Sequence, residues 1–208
     1  MKWIALAALF FLLYSCLPSH GERFSLRVTA EVQTPDGLKT GTSVVSYRFK
    51  EKPWWYPAQG NGYFDPFGEA PTIDFGGGRY LFVLLDGGGS SSSKLSLIDY
   101  KDGSGLNPDK TVMAQYMPHL VTFEDTKDRI TLRDVDPENL SGVFGAGYRL
   151  VKISVVQGNE PPTFGTIERI LPFRDAMKSD DESLLAGPSP EFELRTISWR
   201  SFQNGQPR

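Results

Sequence analysis

The chain has 208 residues, an aromatic content of 12% and a formal net charge of −3 at pH 7. This length suits a single domain. A mildly acidic chain lacks the basic surface that nucleic acids require, so we do not expect nucleic acid as a partner. With one cysteine and two histidines, the sequence excludes an intrachain disulfide and a Cys/His zinc site. No metal and no other cofactor is expected.

The first residues have the character of an export signal. Lys2 precedes an uncharged, apolar stretch from Trp3 to Tyr14. This stretch is shorter than the roughly 20 apolar residues that a membrane-spanning helix needs. It is typical of the central region of a secretory signal peptide. We therefore expect residues 1–15 to be a signal peptide.

The only cysteine, Cys16, ends this stretch in the sequence Leu13-Tyr14-Ser15-Cys16. The sequence resembles the bacterial lipobox, in which a small residue precedes a cysteine that becomes lipidated. We expect lipidation at Cys16, with residues 16–22 as a lipid-anchored tether. Leu17 stands where an Asp would retain the protein at the inner membrane, which favours the outer membrane. The domain would then face the periplasm.

A second processing route gives a different location. Ser19 and Gly21 are small residues of the kind that precede an ordinary signal-peptidase cleavage, here ahead of Glu22. Cleavage at that point would release a soluble periplasmic protein without the lipid. Both routes export the domain from the cytoplasm.

We expect residues 23–208 to form a single β-rich α+β domain, an antiparallel sheet or sandwich with two or three short helices. Apolar and polar residues alternate over 24–33, which predicts a strand with one buried face. Pro35-Asp36-Gly37 predicts a turn. Val45, Tyr47 and Phe49 recur on one face of a second strand. The domain should therefore open with an antiparallel hairpin over 23–49.

Later elements follow from the same patterns. We predict helices from Asn107 to Tyr116 and from Asp136 to Gly145 or Gly147. Further strands are predicted at Thr72–Phe75, Tyr80–Leu85, Leu120–Phe123, Arg129–Leu132, Arg149–Val156 with Val151, Ile153 and Val155 inward, and Phe192–Trp199.

Residues 52–70 combine aromatic side chains with proline and glycine and show no regular period. This composition predicts a long loop. Exposed tryptophan and tyrosine provide rigid contact area with polar groups, which suits a sugar or a protein partner. The alternative is that these rings fold back and cap one end of the core. The candidate binding residues are Trp54, Trp55, Tyr56, Tyr63 and Phe64.

Five segments of the chain carry a resemblance to known proteins: Val32–Gly37, Gly41–Val44, Leu120–Asp125, Val135–Leu140 and Phe144–Gly145. Through these segments the chain, from Arg23 onward, resembles an uncharacterised family of exported, lipoprotein-like proteobacterial proteins. The resemblance implies a setting in the bacterial cell envelope. No activity is established for that family, so the resemblance implies no catalytic residue.

Carboxylates are the main candidates for chemistry. Asp65 with Glu69, or Glu124 with Asp125 and Asp128, could supply the paired carboxylates of a glycoside hydrolase. The alternative is that both groups belong to solvated turns.

Two weaker candidates for chemistry also occur in the sequence. Asp99, Asp102, Asn107 and Asp109 surround a glycine-rich stretch that could bind Ca²⁺, although the same residue types are common in turns. His119 could orient a serine nucleophile, but no Gly-x-Ser-x-Gly turn accompanies it. A surface or packing role is its alternative.

These patterns predict a non-enzymatic binding or structural module of the envelope. Its membrane contact would be the lipid at Cys16, and its candidate partner an envelope protein or glycan. The alternative is a periplasmic hydrolase that acts on envelope glycan or peptide through carboxylates.

Overall fold

The computed structural model describes residues 23–51, 62–85, 97, 106–107, 109–176, 184 and 197–205. The predicted signal peptide 1–15, the tether 16–22 with Cys16, and the residues 54–56 lie outside this part of the chain. So do most of the residues of the predicted strand at Phe192–Trp199.

The described residues form two antiparallel sheets that share one hydrophobic core, with three short α-helices. The predicted β-rich α+β fold is confirmed. One sheet has five strands in the order β8-β1-β2-β3-β9, and the other has four in the order β4-β5-β6-β7. The strands are β1 (Arg23–Thr34), β2 (Gly37–Glu51), β3 (Gly62–Glu69), β4 (Thr72–Gly76), β5 (Arg79–Val83), β6 (Leu120–Phe123), β7 (Leu132–Asp134), β8 (Arg149–Gly158) and β9 (Gln203–Asn204); the helices are α1 (Ser141–Phe144), α2 (Thr166–Ile170) and α3 (Trp199–Phe202).

The predicted hairpin is confirmed as β1 and β2. Their ladder runs without interruption from Thr34 opposite Gly37 to Arg23 opposite Arg48. Gly37 has φ +116°, a conformation that glycine adopts without the steric penalty of a side chain. The Thr34 hydroxyl donates to the Gly37 carbonyl at 2.8 Å and closes the turn. The turn therefore fixes the register of the whole hairpin.

Alternation along β1 separates a core face from an open face. The core face carries five apolar side chains, all at most 4% exposed: Phe24, Leu26, Val28, Ala30 and Val32. Burial of each of the larger side chains among them contributes about 1.5–3 kcal/mol to the free energy of unfolding. The polar residues between them point to the opposite face of the sheet, which is where the candidate site lies.

β8 pairs with the other side of β1, and its predicted burial pattern holds only in part. Ile153 and Val155 are buried, as predicted, but Val151 is 42% exposed. The register shifts between Glu31 and Val32 of β1. Glu31 pairs with Lys152 and Val32 pairs with Leu150, so Val151 has no partner on β1. This β-bulge turns Val151 away from the core, which a strict period of two could not predict.

The predicted helix from Asn107 to Tyr116 is wrong. The Asn107 amide donates to the Thr111 carbonyl at 2.7 Å, so the chain turns back on itself there. The chain then pairs with β8: the Val112 amide donates to the Ile153 carbonyl, and the Val155 amide donates to the Lys110 carbonyl. Backbone pairing with an open sheet edge has replaced the local helix signal. Only Ala114–Tyr116 forms a single 3₁₀ turn.

The predicted loop over 52–70 is wrong for residues 62–69, which form β3. This strand pairs with β2 from Phe67 opposite Ser46 to Gly62 opposite Glu51. Pro66 is tolerated because β9 pairs only with Gly68 and Glu69, so no strand needs an N–H from Pro66 on that side. Proline suggested a loop, but an edge position accommodates it within a strand.

The remaining elements show smaller differences from their predictions. β4 and β6 match the predicted strands. β5 ends at Val83 rather than Leu85, and Leu84 and Leu85 are buried after it. Residues 129–131 form a 3₁₀ turn, so β7 starts only at Leu132. α1 begins at Ser141 rather than Asp136 and ends before Gly145, as predicted for its end. Trp199 begins α3 instead of ending a strand.

Gly41 allows the two sheets to approach each other closely. A Cβ at this position would lie 2.3 Å from the Thr72 carbonyl oxygen of β4.

We expect Gly41→Ala to lower the free energy of unfolding by about 2 kcal/mol or more, because backbone atoms would have to move. Urea unfolding followed by circular dichroism measures this. Gly158→Ala is the matched control, since its Cβ would meet nothing closer than 3.9 Å. Equal stability of the two variants would contradict the close approach.

Candidate functional site

The predicted aromatic site is only partly described. Trp54, Trp55 and Tyr56 lie outside the described residues, and Tyr63 is placed as the strand partner of Lys50. Phe64 is half-buried and packs edge-on against Phe24 and Phe49, at ring-centroid distances of 5.4 and 5.2 Å. Phe64 therefore extends the core at the end of the sheet, which agrees with the capping alternative for this side chain.

A pocket of about 360 Å³ lies on the open face of the five-stranded sheet, and we call it the sheet-face pocket. It spans β1, β2 and β3 and is closed on one side by the segment that follows β8. None of its strand residues was predicted as a site, apart from Asp65. Its lining consists of Arg23, Phe24, Ser25, Ser46, Tyr47, Arg48, Asp65, Phe67, Asn159, Glu160, Pro161 and Pro162.

Two serine hydroxyls form the floor of the sheet-face pocket. Ser25 Oγ and Ser46 Oγ are 2.8 Å apart on neighbouring strands. Ser25 Oγ also donates to the Glu160 carbonyl at 2.8 Å. Because a hydroxyl has one proton, Ser46 must be the donor to Ser25. The Ser46 oxygen is therefore left as an acceptor within the pocket.

The segment after β8 crosses the open face where β3 separates from β2. β2 pairs with β3 only as far as Ser46. Beyond that point the Val44 carbonyl accepts from the Thr163 amide at 2.9 Å, and the Val44 amide donates to Thr163 Oγ1 at 3.0 Å. Phe164 packs edge-on against Phe67 at 5.8 Å. These contacts hold the pocket wall in place through backbone bonds and an aromatic pair.

Charged groups surround the floor. Arg23 and Arg48 are opposite each other on β1 and β2, and Asp65 of β3 is opposite Arg48. Glu160 accepts from both ends of the Arg27 guanidinium, with Nε 2.9 Å from Oε2. This bidentate pair uses the carboxylate of Glu160. Arg23 and Arg48 make no ion pair with any carboxylate whose side chain the structure describes.

The first pair of candidate catalytic carboxylates is not a pair in the structure. Asp65 lines the sheet-face pocket, whereas Glu69 is 1% exposed. Glu69 Oε2 accepts from the amides of Thr166 at 2.8 Å and Ile167 at 3.1 Å, at the start of α2. Glu69 therefore satisfies backbone donors that α2 cannot satisfy itself. Its carboxylate fastens a helix to β3.

The second group of candidate carboxylates holds a surface turn. Glu124 forms an ion pair with Arg133. Asp125 Oδ1 accepts from the Lys127 amide at 2.9 Å, and Asp128 Oδ1 accepts from the Ile130 amide at 3.1 Å. These are the local side-chain to backbone bonds that Asp typically makes in turns.

His119 lies in the interior. Its side chain is fully buried, and Nε2 lies 2.6 Å from Oδ1 of Asp134, the last residue of β7. Nδ1 has no hydrogen-bond partner among the residues that the structure describes. The His119 carbonyl accepts from the Leu84 amide at 2.9 Å. This arrangement gives His119 a packing role between β6 and β7, without access to a substrate from solvent.

The predicted calcium loop is described only at Asn107 and Asp109. Asp109 Oδ1 accepts from the Thr111 hydroxyl at 2.6 Å and from the Thr111 amide at 3.2 Å. These bonds to Thr111 hold the pKa of the Asp109 carboxyl below its usual value. Asn107 Nδ2 also donates to Thr111 Oγ1. Both residues therefore stabilise the turn that pairs with β8.

No protein-family model, no curated protein and no solved structure matches this chain. The resemblance to a family of exported, lipoprotein-like proteobacterial proteins accordingly stays a prediction. Across the described ranges, no helix is both long and apolar enough to cross a membrane. Within those ranges, no three His, Cys, Asp or Glu residues lie together as metal ligands would.

The pocket residues that sequence reasoning missed divide into two kinds. The turn at Pro35-Asp36 sets the hairpin register, and that register places Arg23 opposite Arg48 and Ser25 opposite Ser46. This half of the pocket could have been found from the predicted hairpin. Glu160 reaches the same place only through the course of the chain after β8, for which the sequence carries no signal.

Glu69 provides a direct test of the structural role of a buried carboxylate. We expect Glu69→Ala to lower the free energy of unfolding by about 2–4 kcal/mol, because two backbone amides lose their acceptor. Glu69→Gln keeps an acceptor oxygen and should lose less. Urea unfolding measures both.

Glu138→Ala is the control for these variants, since Glu138 is exposed and its side chain makes no hydrogen bond or ion pair within the described part of the chain. A loss in Glu69→Ala no larger than in Glu138→Ala would contradict the role that the structure gives Glu69.

Proposed function

We propose that this protein is a lipid-anchored, non-enzymatic binding module of the bacterial cell envelope. Its binding site is the sheet-face pocket, together with the aromatic stretch that contains Trp54, Trp55 and Tyr56. The partner is an envelope protein or glycan. Lipidation of Cys16 holds the module at the outer membrane with the domain in the periplasm.

The sheet-face pocket is the observation that carries this proposal. Its floor offers the Ser46 oxygen as an acceptor, its walls include the ring of Phe67, and its rim carries the guanidinium groups of Arg23 and Arg48. A concave surface with a few convergent polar groups and an aromatic wall is typical of small-ligand and sugar sites. The chain enters the aromatic stretch at Glu51 and leaves it at Gly62, which are paired with each other.

The bonds made by the candidate catalytic groups favour binding over catalysis. Glu69, Glu124 and Asp128 bond to backbone amides or to an arginine, and His119 is fully buried. A general acid or base must reach the substrate atom with which it exchanges a proton. None of these four side chains lines the sheet-face pocket.

A periplasmic hydrolase remains the second candidate, because Asp65 and Glu160 both line the pocket. Two carboxylates at a common cleft are the arrangement that glycoside hydrolysis uses. However, the Glu160 carboxylate already accepts hydrogen bonds from Nε and Nη2 of Arg27. Because a catalytic carboxylate must reach the substrate, these bonds make the hydrolase the less favoured of the two functions.

Blocking the pocket tests the proposed function. We expect Ser46→Leu to reduce the fraction of protein that co-sediments with purified cell-wall sacculi or binds to immobilised envelope extract, because the larger side chain fills the floor. Trp54→Ala with Trp55→Ala should reduce it as well. Quantitative immunoblotting of the bound and free fractions measures this.

Thr42→Leu is the matched control, since Thr42 lies on the same strand and face as Ser46 but outside the pocket. Equal retention of Ser46→Leu and Thr42→Leu would remove the pocket from the proposal. Release of soluble glycan or peptide fragments by the wild type, and not by Asp65→Asn, would favour the hydrolase instead.

The anchor has its own test. We expect Cys16→Ala to move the protein from the membrane fraction to the soluble periplasmic fraction, because acyl chains on the cysteine would supply the membrane affinity. The wild-type mature protein should begin at Cys16 and show an intact mass increased by acylation. A mature chain that begins at Glu22 without added mass would establish the alternative cleavage and overturn the lipid anchor.

A further inference from the structure

The two arginines at the rim of the sheet-face pocket form a cross-strand pair. Arg23 and Arg48 occupy directly opposite positions, so they project from the same face of the sheet. Cβ atoms of such a pair are about 4.5–5.5 Å apart. Both side chains are exposed. Two guanidinium groups are therefore held within reach of one common point above the sheet.

The pairing of Arg23 with Arg48 is unfavourable by itself, and Asp65, which lies opposite Arg48 on β3, offsets it only in part, because the two form no ion pair. Like charges directly opposite each other on neighbouring strands destabilise a sheet. Arg27, two positions along β1, has Glu160 as its partner. By contrast, among the carboxylate side chains that the structure describes, none makes an ion pair with Arg23 or Arg48. The planar donors of two arginines suit the oxygens of a carboxylate or a phosphate.

The floor of the pocket, next to the arginines, is suited to a hydrogen-bond donor on the same ligand. Ser25 and Ser46 form the next cross-strand pair on this face. The proton of Ser46 is directed to Ser25 and that of Ser25 to the Glu160 carbonyl, so the Ser46 oxygen accepts from a ligand. A hydroxyl or amide group of a ligand satisfies such an acceptor.

We infer that the sheet-face pocket binds an acidic saccharide, with its carboxylate or phosphate between Arg23 and Arg48 and a hydroxyl or amide group towards Ser46. The ring of Phe67 provides an apolar wall for the sugar. A volume of about 360 Å³ is sufficient for one or two sugar units. This inference rests on the proposed function, because it names the class of ligand for the same pocket.

The test is a titration of the ¹⁵N-labelled full chain in detergent micelles, followed by the amide signals of residues 23–25 and 46–48. The probes are N-acetylmuramic acid, which carries a carboxylate, N-acetylglucosamine 6-phosphate, which carries a phosphate, and neutral N-acetylglucosamine. N-acetylglutamate adds a carboxylate ligand without a sugar. The acidic sugar that binds more tightly identifies the anion.

We expect at least one acidic sugar to shift these amides in a saturable way and to bind more tightly than the neutral sugar and N-acetylglutamate. The double variant Arg23→Gln/Arg48→Gln should weaken that binding about tenfold or more, through loss of charged hydrogen bonds. Arg133→Gln/Arg149→Gln is the matched control. It removes two exposed strand arginines outside the pocket and should bind as the wild type does.

Three outcomes would overturn the inference: no shift with either acidic sugar, equal affinity for the neutral sugar or for N-acetylglutamate, or unchanged affinity in Arg23→Gln/Arg48→Gln. These outcomes are separate from failure of the proposed function. Loss of sacculus or envelope binding in Ser46→Leu can persist when the acidic sugars fail, and the pocket would then bind a ligand of another class.

Discussion

The tight turn between β1 and β2 is the constraint on which the rest of this structure depends. Gly37 accepts a positive φ, and the Thr34 hydroxyl closes the turn, so the register of the long ladder is set at one end. A slip of one residue would exchange the core face of β1 with its open face. β8 and β3 then attach to the outer sides of this hairpin. Core and pocket are therefore two faces of one ladder.

Buried polar groups connect the elements that this ladder does not reach. Glu69 joins β3 to the start of α2, and His119 joins the start of β6 to the end of β7. The Ser43 hydroxyl donates to the Glu69 carbonyl at 2.6 Å and adds a link between β2 and β3. Such bonds contribute modestly when formed, but a partner left unsatisfied in the interior costs more. They make the arrangement of the sheets specific rather than only compact.

The sheet-face pocket results from a change of partner along β2. β3 leaves β2 at Ser46, and the backbone of Thr163 takes its place at Val44. The chain between β8 and α2 thereby lies over polar side chains that would otherwise face solvent. Ion pairing of Arg27 with Glu160 fixes one side, while Arg23 and Arg48 lie opposite each other at the other side. The proposed binding role of the pocket rests on this uneven distribution of partners.

The sequence alone determined the β-rich class and the first hairpin with its turn, because alternation and turn chemistry act between residues close in the chain. It also predicted the strands at β4 and β6 and the end of α1. Only the tertiary structure decided that Lys110–Val112 pairs with β8, that Val151 is a bulge, and that residues 62–69 form an edge strand. Those outcomes depend on which backbone N–H and C=O groups of segments distant in the chain still lack a hydrogen-bond partner. For the same reason, Asp65 and Glu160 share a pocket that no spacing in the sequence could reveal.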